Sequence, residues 1–264
     1  MSYVEKRNIL YWPNMRREQF EKARADRPVV VVPVGSIEQH GPHCPVDVDI
    51  SNAHGIVVHA AELVQDFPFI VGPEISLGFT HYNRGFPGTV TLALETFINV
   101  VCDVCRSIHG NGFERIVLVN GHGGNHHPMR SAAVKLAEED IYVLALSHWE
   151  LVRQELIEWS ERDQGSIGHG GEWETSIQLY LRPELVDRSK QVAENWVPSV
   201  SPEFAHITFP ERQRETPHGV MGDPTVASAE KGERYVKRAA EKLARLARAY
   251  REQEVRRYRW FEQA

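Results

Sequence analysis

Residues 29–49 read VVVVPVGSIEQHGPHCPVDVD, a run that begins as a strand and ends as a cluster of metal-type ligands. Val29, Val30, Val31, Val32 and Val34 are β-branched and favour extended backbone. A near-continuous apolar run of this length suits a central strand buried on both faces. Pro33 has no N–H for a ladder and is placed at the strand's end. Gly35 breaks the pattern, and Glu38, His40, His43, Asp47 and Asp49 follow within a few residues. In extended chain Glu38 and His40 project to the same side, because side chains alternate with period two. A carboxylate and an imidazole aimed at one point are what a cation such as zinc or manganese binds. A lone Glu-x-His is more often a solvated loop. The density of ligand types just past a buried strand outweighs that reading, since open α/β sheets place their sites beyond the carboxyl ends of strands.

Working outward, Asn14 is expected to cap a short helix to about Ala25. Residues 50–65 form an amphipathic helix through Ile56, Val57, Ala60, Ala61 and Val64, starting near Ser51 or Asn52. Residues 67–71 read as a short strand. A glycine-rich, aromatic loop, GPEISLGFTHYNRGFPGTVTL, spans residues 72–92 and is too long for a passive connector. Residues 94–109 are helical and 115–119 (RIVLV) form a second buried strand. That strand runs into Asn120-Gly121-His122-Gly123-Gly124-Asn125, where glycine lets backbone approach a ligand. A helix to Glu139 and a strand over 141–146 follow, the latter ending at Ser147-His148-Trp149.

The third cluster, residues 165–176, brings His169, Glu172 and Glu174 to the start of a helix reaching about Leu181. One Glu there is explained by the helix dipole alone; His169 with two Glu after a glycine run is harder to dismiss. Residues 192–226 are Pro-rich and irregular, with a structured turn at 218–224 that could line a site or a subunit contact. Residues 229–257 form a long helix with a solvated basic face.

The chain has 264 residues, 42% of them hydrophobic and 25% charged, which fits one α/β domain over 1–264 with a sizeable core. A net charge of -6 without a basic stripe makes nucleic acid a poor partner. No stretch approaches a membrane span, and the N-terminus lacks the apolar core of a signal peptide. Cys102 and Cys105 share one face of a helical pattern and read, with Cys44, as reduced thiols in a cytoplasmic protein.

Glu38, His40, Asp49, His122 and Glu172 come from three separate strand or helix ends. Five ligands with three carboxylates are too many for one tetrahedral catalytic zinc. They suit two adjacent divalent ions, zinc or manganese with iron as a third option, and Asp49 is the chosen bridge. Such a pair can deprotonate a water and polarise a carbonyl, which is hydrolase chemistry. No G-x-S-x-G, G-x-G-x-x-G or Walker loop competes.

The segments GSIEQHGPHCPVDVD, GFPGTVTL, NGHGGN, GHGGEWETS and GVMGDPT, in this order, closely resemble the creatininase family of creatinine amidohydrolase-like proteins. The resemblance covers roughly residues 28–232. It implies a three-layer α/β/α sandwich with a mostly parallel sheet, a binuclear site and a homohexamer. By similarity, Glu38, Asp49 and His122 form one metal site, and His40, Asp49 and a further Glu the other. Creatininase supplies that Glu two residues after the histidine of its N-G-H motif, where this chain has Gly124. Relatives with N-G-H-G-G-N use a Glu of a later G-E-x-E-T-S motif, which points to Glu172, with Glu174 as second choice. His169 and Glu172 are the catalytic candidates, His169 as a proton shuttle. Trp149 looks like a family substrate-contacting Trp; His81, Tyr82, Arg84 and Gly123 are grouped with it as substrate contacts. The expected reaction is attack of a metal-bridging hydroxide on a carbonyl of a small cyclic or amide substrate. Alternatives are C–C cleavage of an oxidised inositol of the 3-dehydro-scyllo-inosose type, deformylation of a formamide, and a metal-stabilised scaffold without catalysis. A polyhydroxylated substrate would suit His81, Tyr82, Asn83 and Arg84 better than a planar lactam does.

Overall fold

The computed structural model describes residues 9–162, 167–194 and 216–254. The N-terminal tail, the stretch just before Ile167, most of the Pro-rich segment and the expected last turn of the C-terminal helix lie outside the described residues. Five strands pair in parallel in the order β1-β3-β2-β4-β5. They are β1 (Leu10–Tyr11), β2 (Val29–Val34), β3 (Phe69–Val71), β4 (Arg115–Asn120) and β5 (Val143–Ser147). Every residue of β2, β3 and β4 is buried, as strands covered on both faces require.

Their side chains alternate between two cores. Val29, Val31, Val71, Val117 and Val119 face one; Val30, Val32, Val34, Ile70, Ile116 and Leu118 face the other. The second core is closed by α1 (Arg17–Arg24), α3 (Leu94–Gly110) and α4 (His126–Ala137). The first is closed by α2 (Val48–Leu63), the short α5 (His148–Leu151) and α6 (Arg153–Trp159), α7 (Glu172–Leu181) and α8 (Ala229–Glu252). The result is the expected three-layer α/β/α arrangement. Cys102 and Cys105 are free thiols buried in the second core. Among the described residues, no helix is long and apolar enough to cross a membrane.

Pro33 sits inside β2, one residue before its end. The carbonyls of Val31 and Pro33 point away from β4 and accept from Gly72 N at 2.8 Å and Ile75 N at 2.9 Å. β3 has ended at Val71, so the missing N–H of Pro33 leaves no gap in the β2–β4 ladder. Other boundaries shift. Helix α2 starts three residues before Ser51, directly after Asp47, whose carboxylate makes no cap bond and instead accepts from Arg182. Asn14 closes a 3-10 turn, and α1 instead starts after Arg16, whose backbone N–H donates to Gln19 Oε1 at 2.9 Å. β5 begins at Val143 rather than Ile141, and α8 ends at Glu252.

Candidate metal centre

The chain leaves the neighbouring carboxyl ends of β2 and β4 in opposite directions, towards β3 and towards β5, and opens a crevice between them. Two glycines let α2 sink into that crevice. A Cβ on Gly35 would stand 2.4 Å from the N and Cα of Ile50, and one on Gly121 would stand 2.0 Å from the Asp49 carbonyl oxygen. Asp49, in the first turn of α2, is thereby pressed against the strand ends. Asn120 brackets the next ligand: its Oδ1 accepts from His122 N at 3.0 Å and its amide donates to His122 O at 2.6 Å. Gly170, at φ +58°, lies against the His40 carbonyl and donates its N–H to Glu174 Oε2 at 2.7 Å.

These turns gather Glu38, His40, Asp49, His122 and Glu174, all buried. Each oxygen of Asp49 meets a different imidazole: Oδ1 lies 3.1 Å from His40 Nε2, and Oδ2 lies 3.0 Å from His122 Nδ1. Glu38 Oε2 is 2.7 Å from His122 Nδ1, and Glu174 Oε2 is 3.5 Å from His40 Nε2. The outer nitrogens fix both tautomers. His40 Nδ1 donates to the Glu38 carbonyl at 2.9 Å, and His122 Nε2 donates to the Phe79 carbonyl at 3.1 Å, since a carbonyl can only accept. The inner nitrogens of the neutral rings therefore present lone pairs to carboxylate oxygens. Outer-nitrogen bonds of this kind orient metal-ligating histidines.

Lone pairs facing carboxylates at such distances need a positive charge between them. Both Glu38 oxygens, Asp49 Oδ2 and His40 Nε2 are buried without an aligned hydrogen bond. The short contacts to them are therefore proximity rather than satisfied bonding. The ligand atoms of Glu38, Asp49 and His122 lie within 4.8 Å of one another, as do those of His40, His169 and Glu174. Ligands about 2.0–2.2 Å from a common ion fall within that span. The residues present thus fit two divalent cations. Without them, protons take their place. Burial opposes charge on His40, but the Asp49 and Glu174 carboxylates prevail and hold its pKa at about 10. Burial likewise opposes charge on His122, and Glu38 and Asp49 raise it well above its ordinary value. Glu174 is pushed up to about 7, chiefly by burial and against the pull of His40.

Glu172, expected as the fifth ligand and a catalytic group, turns its side chain away from this cluster. Its carboxylate accepts from Glu161 N and Arg162 N at 3.1 and 3.0 Å and pairs with Lys231 Nζ at 2.8 Å. Residues two apart on a helix lie about 200° round the axis, so only one of the two glutamates can face His40, and it is Glu174. His169 is buried with its ring centroid 4.3 Å from that of His40. Its Nε2 lies 2.8 Å from the Gln39 carbonyl and 3.1 Å from the Gln39 side-chain nitrogen. The 218–224 turn supports this pair: Met221 bridges His169, and Gly219 O accepts from Gln39. Sequence reasoning missed Gln39, Asn120 and Asn125 as framing residues; asparagines flanking a glycine turn were the available sign.

The proposed substrate contacts spread out. Tyr82 lies beside His122, ring centroids 6.3 Å apart. His81 and Arg84 are exposed and bonded to each other. Trp149 stacks on His126 at 6.2 Å beyond the end of β5. Gly123 is exposed, with open space where a side chain would stand.

The family model described as creatinine amidohydrolase matches residues 13–247. A mycofactocin precursor peptide peptidase of Mycolicibacterium smegmatis is 31% identical over 218 residues, covering 78% of this chain and 79% of the relative. A creatinine amidohydrolase of Pseudomonas putida is 30% identical over 226 residues, covering 78% and 83%. A 3-dehydro-scyllo-inosose hydrolase of Thermotoga maritima is 26% identical over 93% of this chain and 85% of its own. Among solved structures, the manganese form of creatininase superposes with a TM-score of 0.80 at 27% identity, over 93% of this chain and all of that one. A mutant creatininase of the Zn–Zn type gives 0.78 at 28% identity, over 93% and 99%. These relatives are named as hydrolases, and the α/β sandwich of this chain carries two buried groups of metal-type ligands beyond its strand ends. The chain belongs to the creatininase family.

Proposed function

We propose that this protein is a binuclear metal hydrolase acting on a carbonyl carbon of a small amide or cyclic substrate. The observation that carries the reading is Asp49, whose two oxygens each face the inner nitrogen of a different histidine. One ion would be held by Glu38, Asp49 and His122, the other by His40, Asp49 and Glu174. Bound there, a pair of divalent ions supplies a deprotonated water and polarises the carbonyl it attacks. Asp49 sets the separation of the two positions. Phe79 and Glu38, through their carbonyls, hold His122 and His40 in the tautomers that binding needs. Gln39 holds His169 beside His40, placing an imidazole where it can pass a proton to the leaving atom. His169 is also within reach of His40 and Glu174 as a ligand; retention of both ions in His169→Ala supports the proton role.

The relatives act on amide-type bonds, as creatinine amidohydrolase and peptide peptidase, and on 3-dehydro-scyllo-inosose. A second reading, ring opening of a cyclitol ketone, is favoured by the polar tip carrying His81 and Arg84. The metal-free protein, reloaded with Mn²⁺ or Zn²⁺, is assayed against cyclic amides, formamides, short peptides and cyclitol ketones. Turnover of one class that disappears with chelator and with Asp49→Ala is expected. Turnover indifferent to both rejects the reading.

A further inference from the structure

The strap over residues 77–92 is tied to the floor of the site along its length. Val90 N bonds the Ile37 carbonyl at 2.9 Å and Phe79 N bonds Asn125 Oδ1 at 2.8 Å, while Leu92 N closes the strap on itself through Gly78 O at 2.9 Å. The other end of the Asn125 amide donates to Gly35 O at 2.8 Å, so one side chain staples the strap to the end of β2.

Strap and floor also press together at two glycines. A Cβ on Gly78 would stand 2.6 Å from Gly35 O and 2.7 Å from Asn125 Oδ1. A Cβ on Gly124 would stand 2.1 Å from the Tyr82 hydroxyl, 2.3 Å from the Phe79 carbonyl oxygen and 2.5 Å from His122 Nε2. All three of those atoms belong to one contact. The Phe79 carbonyl receives the outer N–H of His122, and the Tyr82 ring lies tilted at 31° beside the same imidazole. Tyr82 is partly buried, and His122 and Asn83 are buried.

We infer that Gly124 is a notch through which the strap grips His122, with Phe79 and Tyr82 as positioning residues that set the affinity of the Glu38–Asp49–His122 metal position. The inference rests on the binuclear reading and adds to it. The strap that borders the substrate's approach also braces one of the two ions. Outer groups that orient a ligating histidine typically contribute about 10–100-fold to metal affinity. Because coupling is reciprocal, an ion bound at His122 must in turn hold the strap down.

The test uses the full chain with Mn²⁺ and Zn²⁺ alone as probes. Metal content is read after dialysis against buffered free ion, and amide hydrogen exchange is followed over residues 77–92. The wild type is expected to bind two ions and to exchange more slowly across the strap when loaded. Gly124→Ala is expected to keep one ion with near wild-type affinity and to weaken the other about 10–100-fold. Its strap is then no longer protected by metal. If Gly124→Ala does not fold, Tyr82→Ala approaches the contact from the strap side, and the same loss of one ion is expected. Two ions at wild-type affinity in a folded variant, or strap exchange unaffected by metal in the wild type, overturns the inference and leaves the binuclear reading standing. A wild type that binds no ion overturns both.

Discussion

Changing Glu172 and Glu174 separately to glutamine splits two roles that lie two residues apart. The Glu172 carboxylate, fully buried, receives two backbone N–H groups and the Lys231 ammonium. Glutamine keeps one oxygen but turns an N–H₂ towards donors, so at least one charge-assisted bond is lost, worth about 1.5–3 kcal/mol. Lys231 retains Glu161 at 2.6 Å and the Val226 carbonyl at 2.8 Å, which limits the damage. For a domain of this size a loss of about 2 kcal/mol lowers Tm by about 4–8 °C. Both ions should remain. In Glu174→Gln the amide oxygen still accepts from Gly170 N, so the fold should hold. The position at His40 loses an anionic ligand and should weaken by more than the roughly 100-fold that an outer-shell change can cost. Metal analysis after dialysis, with thermal unfolding of metal-free and loaded protein, reads both outcomes. If Glu172→Gln loses an ion while Glu174→Gln keeps two, the ligand assignment is refuted.

Because folded, metal-free His40 titrates at about 10 and His122 is also raised, both carry protons at pH 7 that cations must displace. Apparent affinity should climb with pH up to about 10, roughly tenfold per pH unit for each displaced proton; calorimetry in two buffers of different ionisation enthalpy should show proton release, and none would show that His40 and His122 are not protonated in the metal-free protein. His169→Ala should lower turnover about 10²–10⁴-fold while both ions stay bound; unchanged turnover removes it from the chemistry. Gly121→Ala drives a methyl into the Asp49 carbonyl and should cost at least about 1–3 kcal/mol together with metal content, as seen by Tm and elemental analysis. A stable, fully loaded variant would show that α2 can back away.

The central strands were legible because burial on both faces leaves a near-continuous apolar run, as in Val29–Val34 and over residues 116–119. The edges were not. β1 is two residues long, and β5 is only partly buried along most of its length, so neither imposes a pattern as strict as that of β2. Glu38, His40, Asp49 and His122 could be picked out because each follows a strand end or opens a helix at a glycine. Glu172 and Glu174 could not be ranked that way. Both are first-turn carboxylates, and the residue that claims Glu172, Lys231, lies 59 positions further along. The partners of the Asn125 staple and of the grip of Phe79 on His122 could not be read locally, because each lies more than 40 residues away.

Gly35 and Gly121 have an evolutionary corollary. The Asp49 carboxylate is seated by the absence of two methyl groups just past the ends of adjoining strands, where a Cβ would meet the backbone of α2. Drift at either position would dislodge the centre before it altered any specificity. On the proposed reading, change in what is hydrolysed falls to the outlying segments, the 77–92 strap and the corner around Trp149, while the reaction core is handed down with the scaffold.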